Sequence, residues 1–283
     1  MSLTLPASEI GSAGARKAPA AASLFKNWRP AFVRLGLGLL GIAVVFLLWW
    51  IATDVVAPPE SFARHFSPIR ALATLVELLS SSDLPIHIAV SLKRIFVGLA
   101  LALAIGVPVG LAVGSSGLLN AATSPAFQFL RMISPLSWMP IAVMVLGVGD
   151  NAIYFLLAFA AVWPILLTTA DGVRKLDPAW LQLSESLSAT RWETLWHVVV
   201  PGVLSHVLTG LRLAIGIVWI VLVPCEMLGV SAGLGYFILD TRDRLAYSEL
   251  MAMVLLVGLL GFLLDAAARG LYRLAAPGHG TRS

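Results

Sequence analysis

Residues 172–206 read GVRKLDPAWLQLSESLSATRWETLWHVVVPGVLSH. This polar insert lies between two strongly apolar runs and carries Arg174, Lys175, Asp177, Glu185, Arg191, Glu193 and His197. Its local signals predict two short helices meeting at a bend. Asp177 is an N-cap residue, with Pro178 at the first helical position. The helix that follows presents Trp180, Leu183 and Leu187 on one side, at helical spacing. Ser188-Ala189-Thr190 breaks it. Thr190-Arg191-Trp192-Glu193 has the S/T-x-x-E form of a capping box and opens a second helix, which presents Trp192, Leu195, Trp196 and Val199. Pro201-Gly202 reads as an elbow into the next apolar run. Such a pair of helices either lies in the lipid headgroup layer, with tryptophans as anchors, or forms a docking knob for a cytoplasmic partner.

The rest of the chain sets the frame for this insert. It has 283 residues, of which 59% are hydrophobic and 12% charged, with a mean hydropathy of +0.90. A soluble domain is about 25% charged. So little polar surface excludes a water-soluble enzyme, and so much apolar surface excludes a disordered chain. The predicted class is an all-α, polytopic membrane helix bundle. Nine Trp supply interfacial anchors. A single cysteine, Cys225, excludes an intramolecular disulfide and a cysteine zinc site.

A span takes about 20 apolar residues. Six runs qualify: 32–52, 88–113, 126–148, 152–171, 204–229 and 249–268. The predicted organisation is a disordered cytoplasmic tail over 1–31, too long for a cleaved signal peptide, a transmembrane domain over 32–272 with its insert at about 174–200, and a cytoplasmic tail over 273–283. Residues 68–80, with Ile69, Leu72, Leu75, Val76 and Leu79, predict an amphipathic interfacial helix. If both termini face the cytoplasm, eleven of the 19 Lys and Arg lie inside and six outside, with Arg131 and Arg212 within spans. That split favours both termini inside, although Lys93-Arg94 near an outer helix end runs against it.

Two motifs suggest enzyme chemistry and lack its context. Gly36-Leu37-Gly38-Leu39-Leu40-Gly41 satisfies G-x-G-x-x-G but sits in an apolar helix with no strand before it. Gly229-Val230-Ser231-Ala232-Gly233 satisfies G-x-S-x-G, which admits a membrane serine hydrolase using Ser231 and His206. The pattern follows a helix rather than a strand, so a turn closing that helix fits it better. Gly98, Ala102, Gly106, Gly110 and Gly114 recur every fourth residue and form a smooth face for close helix packing.

At this point the sequence resembles a family. The pattern E-A-A-x-x-x-G, nine residues, I-x-L-P marks permease subunits of binding-protein-dependent ABC importers. Ser188 stands at the Gly position, Val198 at Ile, Val200 at Leu and Pro201 at Pro. Gln182, Leu183 and Ser184 stand where Glu-Ala-Ala is usual, so the opening Glu and the central Gly are absent. Ala189-Thr190-Arg191-Trp192, Leu208-Thr209-Gly210-Leu211-Arg212-Leu213, Glu226-Met227-Leu228-Gly229, Gly233-Leu234-Gly235-Tyr236, Arg131-Met132-Ile133-Ser134-Pro135-Leu136 and Trp138-Met139-Pro140 look like the nitrate/sulfonate/taurine branch. The resemblance covers about 69–274.

The resemblance implies a type I permease fold and a transport subunit, not an enzyme, with no cofactor of its own. Two copies would form the pathway for a small anion such as nitrate, a sulfonate or taurine, across the bacterial inner membrane. Two cytoplasmic ATPase subunits would bind ATP and Mg, and a periplasmic solute-binding protein would deliver substrate. The insert would be the coupling helix, with Gln182, Ser184, Glu185, Ser188, Ala189, Thr190 and Arg191 as the ATPase-coupling residues. Whether the second copy is identical stays open. Ser134, Ser137, Trp138 and Met139, around the prolines of the third span, would line a pathway or gate, or else form a packed kink. Arg131 and Arg212 are candidates for anion contact or for snorkelling to headgroups. Glu226, near the outer end of the fifth span, is a further candidate pathway residue; it otherwise reads as a solvated charge, as a partner of Arg242 or Arg244, or as a contact for the binding protein. The alternating charges at 240–244 suit a solvated or docking rim. An ion-coupled secondary transporter is the rival transport reading, although the acidic residues Asp171, Glu226, Glu249 and Asp265 all stand near span ends.

Overall fold

The computed structural model describes residues 21–58, 60–80 and 83–275, and no strand occurs among them. The chain divides after Pro59 into two units. The first contains α1 (Ala21–Trp50), which continues into a π-helical turn at Ile51–Val56. Leu37, Leu39, Leu40, Val44, Val45 and Leu48 are all exposed around it, as befits a helix whose surroundings are apolar on every side. Gly36 to Gly41 lie inside this helix, so the G-x-G-x-x-G pattern has none of the strand-to-helix geometry of a nucleotide site. The helix begins at Ala21, within the segment predicted as tail; residues 1–20 of that tail, and 276–283 of the C-terminal one, lie outside the described residues.

The second unit is a helix bundle. In chain order it has a 3-10 turn (Phe62–Phe66), α2 (Pro68–Ser80), α3 (Asp83–Ser115), α4 (Gly117–Met132), a 3-10 turn (Pro135–Trp138) and α5 (Met139–Leu146). There follow α6 (Asp150–Arg174), α7 (Pro178–Ser186), α8 (Arg191–Thr194), a π-helical turn (Leu195–Val199), α9 (Val200–Glu226), α10 (Leu234–Asp243) and α11 (Tyr247–Ala275).

The core is built on α3, α6 and α9. The glycine stripe of α3 lies directly on α6. A Cβ at Gly98 would stand 2.7 Å from Leu157 Cβ, one at Gly106 3.0 Å from Ile165, and one at Gly114 2.7 Å from Val173. The matched residues advance together along both helices, so α3 and α6 run parallel at close range. Small side chains permit this approach, which maximises dispersion contact where lipid gives no hydrophobic drive. Helix α9 runs antiparallel to α6, with Gly172 against His206 and Gly210 against Thr168. Ile95, Leu156, Leu157, Ile165, Val218 and Leu222 fill the space between. The stripe is a packing surface, as its spacing predicts.

Three expectations are corrected. The third span is not one straight run over 126–148: α4 and the Pro135–Leu146 segment bend by 85° relative to each other. Pro135 disfavours α geometry at the residue before it, and Ser134 is accordingly extended (φ −59°, ψ 130°). Residues 114–125, which the predicted spans leave as a connecting loop, are helical from Gly117 onward, where Ser116 caps α4 by accepting from Leu119 N–H at 3.3 Å. Pro201-Gly202 is not an elbow: residues Arg191–Glu226 form one continuous helical run. A proline inside a helix lacks an N–H and crowds the preceding turn, and the π turn immediately before Pro201 provides the local widening. Among the described residues, five helices are long and apolar enough to cross a membrane, and six segments are if the bent pair counts as one span.

Helix α2 has the bounds of the segment predicted as an amphipathic helix. It buries Ala71 and Leu75 and packs on α11, with Leu84, Phe237 and Met253 in the same small core. Ile69, Leu72, Val76 and Leu79 remain exposed, so the predicted stripe splits between two faces.

Candidate functional site

The two ends of the second unit carry different chemistry. One end holds the insert. Asp177 accepts from Ala179 N–H at 2.9 Å and caps α7. The helix closes at Ser188, whose φ of +54° is left-handed. Ser188 N–H donates to Glu185 O at 2.9 Å, and Ala189 N–H to Ser184 O at 3.0 Å, the paired bonds of a Schellman ending. Thr190 and Glu193 then complete a reciprocal capping box: Thr190 N–H donates to Glu193 Oε2 at 2.7 Å and Glu193 N–H to Thr190 Oγ1 at 3.3 Å. Ser184 is buried at the crossing of the two helices; it donates to Leu181 O at 2.8 Å and accepts from Thr194 Oγ1 at 3.3 Å.

The bend is therefore a rigid, hydrogen-bonded corner. A hollow of about 360 Å³ lies in its angle, floored by Ser184 and Thr194 and walled by Trp180, Leu183, Leu187 and Val198. Trp180, Leu183, Leu187, Trp192 and Trp196 are more than half exposed. Gln182, Glu185, Thr190 and Arg191 are also exposed, and Ala189 is half-buried. A left-handed conformation costs a non-glycine residue about 1–2 kcal/mol. Ser188→Gly is thus expected to stabilise the insert by about 1 kcal/mol, read as slower amide exchange at Ala189 and Thr190. No change in protection there would show that the corner is not strained.

The other end holds a cluster that the sequence does not announce. Arg94 of α3 has a side chain only 4% exposed and is paired on both sides. Its Nη1 donates to Glu226 Oε1 at 2.8 Å and to Ala232 O at 2.7 Å. Nε and Nη2 donate to Asp150 Oδ1 at 2.9 and 2.6 Å. Glu226 is fully buried. It also accepts from Ser91 Oγ at 2.7 and 2.8 Å and from Gly235 N–H at 2.9 Å. Leu234 N–H donates to Ser91 Oγ at 2.8 Å, and Gly233 N–H to His87 Nδ1 at 3.0 Å. A Cβ on Gly233, at φ +125°, would fall 2.5 Å from Glu226 Cδ and 2.6 Å from Arg94 Nη1. Only glycine fits there.

Glu226 is thus neither solvated nor paired with the outer arginines. Arg242 pairs with Asp243, and Arg244 with Asp240 and Glu249. Burial lowers the pKa of the Arg244 guanidinium, but Glu249 and Asp240 outweigh that and hold it above its ordinary value. Arg94 is a buried ion-pair partner, and Lys93-Arg94 is the pair that runs against the predicted charge split. That exception and the Gly233-Leu234-Gly235 spacing were the available signals.

The other predicted residues are scattered. Arg131, in the last turn of α4, and Ser134 and Ser137, at the break, are exposed; Trp138 is half-buried, and Met139 is buried in the core. Arg212 pairs with Asp265 at 3.5 Å. Ser231 lies in an exposed turn beyond the end of α9, whereas His206 lies near its start against Gly172. Some 20 residues of helix, roughly 30 Å, separate them, so no hydrolase dyad forms.

The family model described as "Binding-protein-dependent transport system inner membrane component" matches residues 102–279. The chain is 30% identical over 258 residues to the taurine transport system permease protein of Escherichia coli strain K12, covering 90% of this chain and 94% of that protein. It is 34% identical over 247 residues to the nitrate import permease protein of Synechocystis, covering 84% and 88%. Among solved structures, a chain of a bacterial alginate ABC transporter, in complex with a periplasmic protein carrying an alginate pentasaccharide, superposes with a TM-score of 0.60 at 12% identity, covering 88% of this chain and 93% of that one.

Proposed function

Because the chain belongs to the binding-protein-dependent inner membrane transport components, in their nitrate/sulfonate/taurine branch, we propose that it is one of two identical transmembrane halves of an ATP-driven importer for a small anion. The observation that carries this reading is the insert: a doubly capped, hydrogen-bonded corner that exposes Trp180, Leu183, Leu187, Trp192 and Trp196 around a hollow. A corner held by backbone bonds transmits displacement instead of absorbing it. Large apolar side chains at its surface suit a protein cleft.

Two cytoplasmic ATPase subunits bind ATP and Mg and seat this corner. Their closure moves Gln182 to Arg191 as a lever, with Ser184 and Ala189 as its inner packing. Arg191–Glu226 is one continuous helical run, so movement of the corner reaches the membrane core directly. The pathway alternates between inward-open and outward-open states, driven by differential binding in the two. A periplasmic binding protein delivers the anion at the end that carries α10. Both termini are cytoplasmic. The exposed hydroxyls of Ser134 and Ser137, with Trp138 and Arg131, line the passage at the 85° break, where irregular backbone is tolerated beside a wet cavity.

Reconstitution with the ATPase and a candidate binding protein tests this. Small anions are screened for stimulated hydrolysis and uptake. Isolation of a stable, transport-competent complex containing no ATPase would sink the proposal. Thr190→Ala removes the N-cap and is expected to cost about 1 kcal/mol locally. Its signature is ATP hydrolysis that persists while uptake per ATP falls. Unchanged uptake per ATP would show that the capped corner is not the lever.

A further inference from the structure

We propose that Arg212, Asp265 and Arg269 form a binding site for the phosphodiester of an anionic phospholipid, between α9 and α11 in the leaflet nearest the insert. Arg212 on α9 reaches Asp265 on α11 at 3.5 Å, and Arg269 donates to the same carboxylate from one turn further along α11. Two guanidiniums share one carboxylate, leaving one positive charge over. The three side chains are 45%, 42% and 35% exposed. This is unlike the Arg94 cluster, where a 4%-exposed arginine is paired with two carboxylates.

The surroundings point to lipid. Phe262, Asp265 and Arg269 follow one another at spacings that share a single face of α11. Phe262, Leu263 and Leu213 are more than half exposed around the triad. A charged group on such a face must reach the headgroup layer or hold a counter-ion. Arg212 stands about two turns inside the apolar part of α9 that begins at Leu204, within the range over which arginine stems snorkel. A guanidinium fork matches phosphate oxygens in two parallel hydrogen bonds, and basic pockets between membrane helices on the cytoplasmic side hold lipid headgroups in this way. The residual charge selects a headgroup with a net negative charge over a zwitterionic one. The site does not depend on the transport reading.

The test uses the full chain in nanodiscs of phosphatidylcholine, with and without phosphatidylglycerol. The readouts are the thermal midpoint and the lipid retained after mild delipidation, measured by mass spectrometry. Wild type is expected to retain phosphatidylglycerol preferentially and to unfold at a higher temperature in its presence. Arg212→Gln keeps Asp265 paired with Arg269 and is expected to weaken that retention about fivefold. Arg269→Gln keeps the Arg212–Asp265 pair and is expected to do the same, which guards against misfolding of either variant. Arg244→Gln, at the opposite end of the bundle, leaves it unchanged. Equal retention by wild type and both triad variants would overturn the site. If inorganic phosphate in pure phosphatidylcholine discs raises the midpoint as far as phosphatidylglycerol does, the ligand is a soluble anion and the lipid assignment fails.

Discussion

Glu226→Ala is expected to destabilise the bundle by about 3–5 kcal/mol, the cost of leaving a buried partner charge uncompensated. Arg94 would lose the carboxylate at 2.8 Å that balances its Nη1, with only 4% of its side chain open to solvent. Ser91 Oγ and Gly235 N–H would lose their acceptor as well, each a further unsatisfied polar group in a dry site. The remaining carboxylate, Asp150, is 40% exposed and holds the guanidinium from its other side. Asp150→Asn should therefore cost far less, because Arg94 keeps Glu226. The double variant Arg94→Met/Glu226→Ala should be milder than the sum of its parts, since neither charge is then stranded. Denaturant unfolding of the purified chain reads all three. A loss below about 1 kcal/mol for Glu226→Ala would mean that the cluster is open to water, as surface pairs are.

Gly110→Leu on the α3 stripe is expected to cost about 3 kcal/mol or more, at the upper end of overpacking effects. The first side-chain atom alone would stand 2.7 Å from Leu166 O and 2.7 Å from Thr169 Cβ. The first of these is backbone in the middle of α6 and cannot turn aside. The helices would have to separate along the whole stripe, because Gly98, Gly106 and Gly114 set the same distance. Gly258 is the internal control. An added Cβ there meets nothing within 4 Å, so Gly258→Ala should stabilise α11 by up to about 1 kcal/mol through propensity alone. Thermal midpoints in detergent separate the two. A tolerated leucine at 110 would show that α3 and α6 do not touch.

Much of the candidate site was legible before the structure because its signals are short-range. Asp177-Pro178, Thr190 with Glu193, and the apolar spacing of Trp180, Leu183 and Leu187 each operate within one or two helical turns. All three appear where the residues place them. The left-handed φ of Ser188 also explains why the resemblance puts a glycine at that position. The bend of the third span was only half legible. Pro135 and Pro140 announced an interruption, but the 85° angle depends on what packs on either side of it.

By itself, then, the sequence determined the membrane class, the apolar runs that become the long helices, the small-residue face of α3 and the capped corner of the insert. These depend on hydropathy and on hydrogen bonds between residues a few positions apart. Only the tertiary structure decided that Arg94, Asp150 and Glu226 meet, that Glu226 is buried rather than solvated, and that Arg212 and Asp265 bridge two helices. Arg94 and Glu226 stand 132 positions apart. Coulomb attraction and burial act through space, so a charge on a helix carries no local mark of which distant partner will neutralise it. The parallel docking of α3 on α6 and the return of α9 bring these partners together.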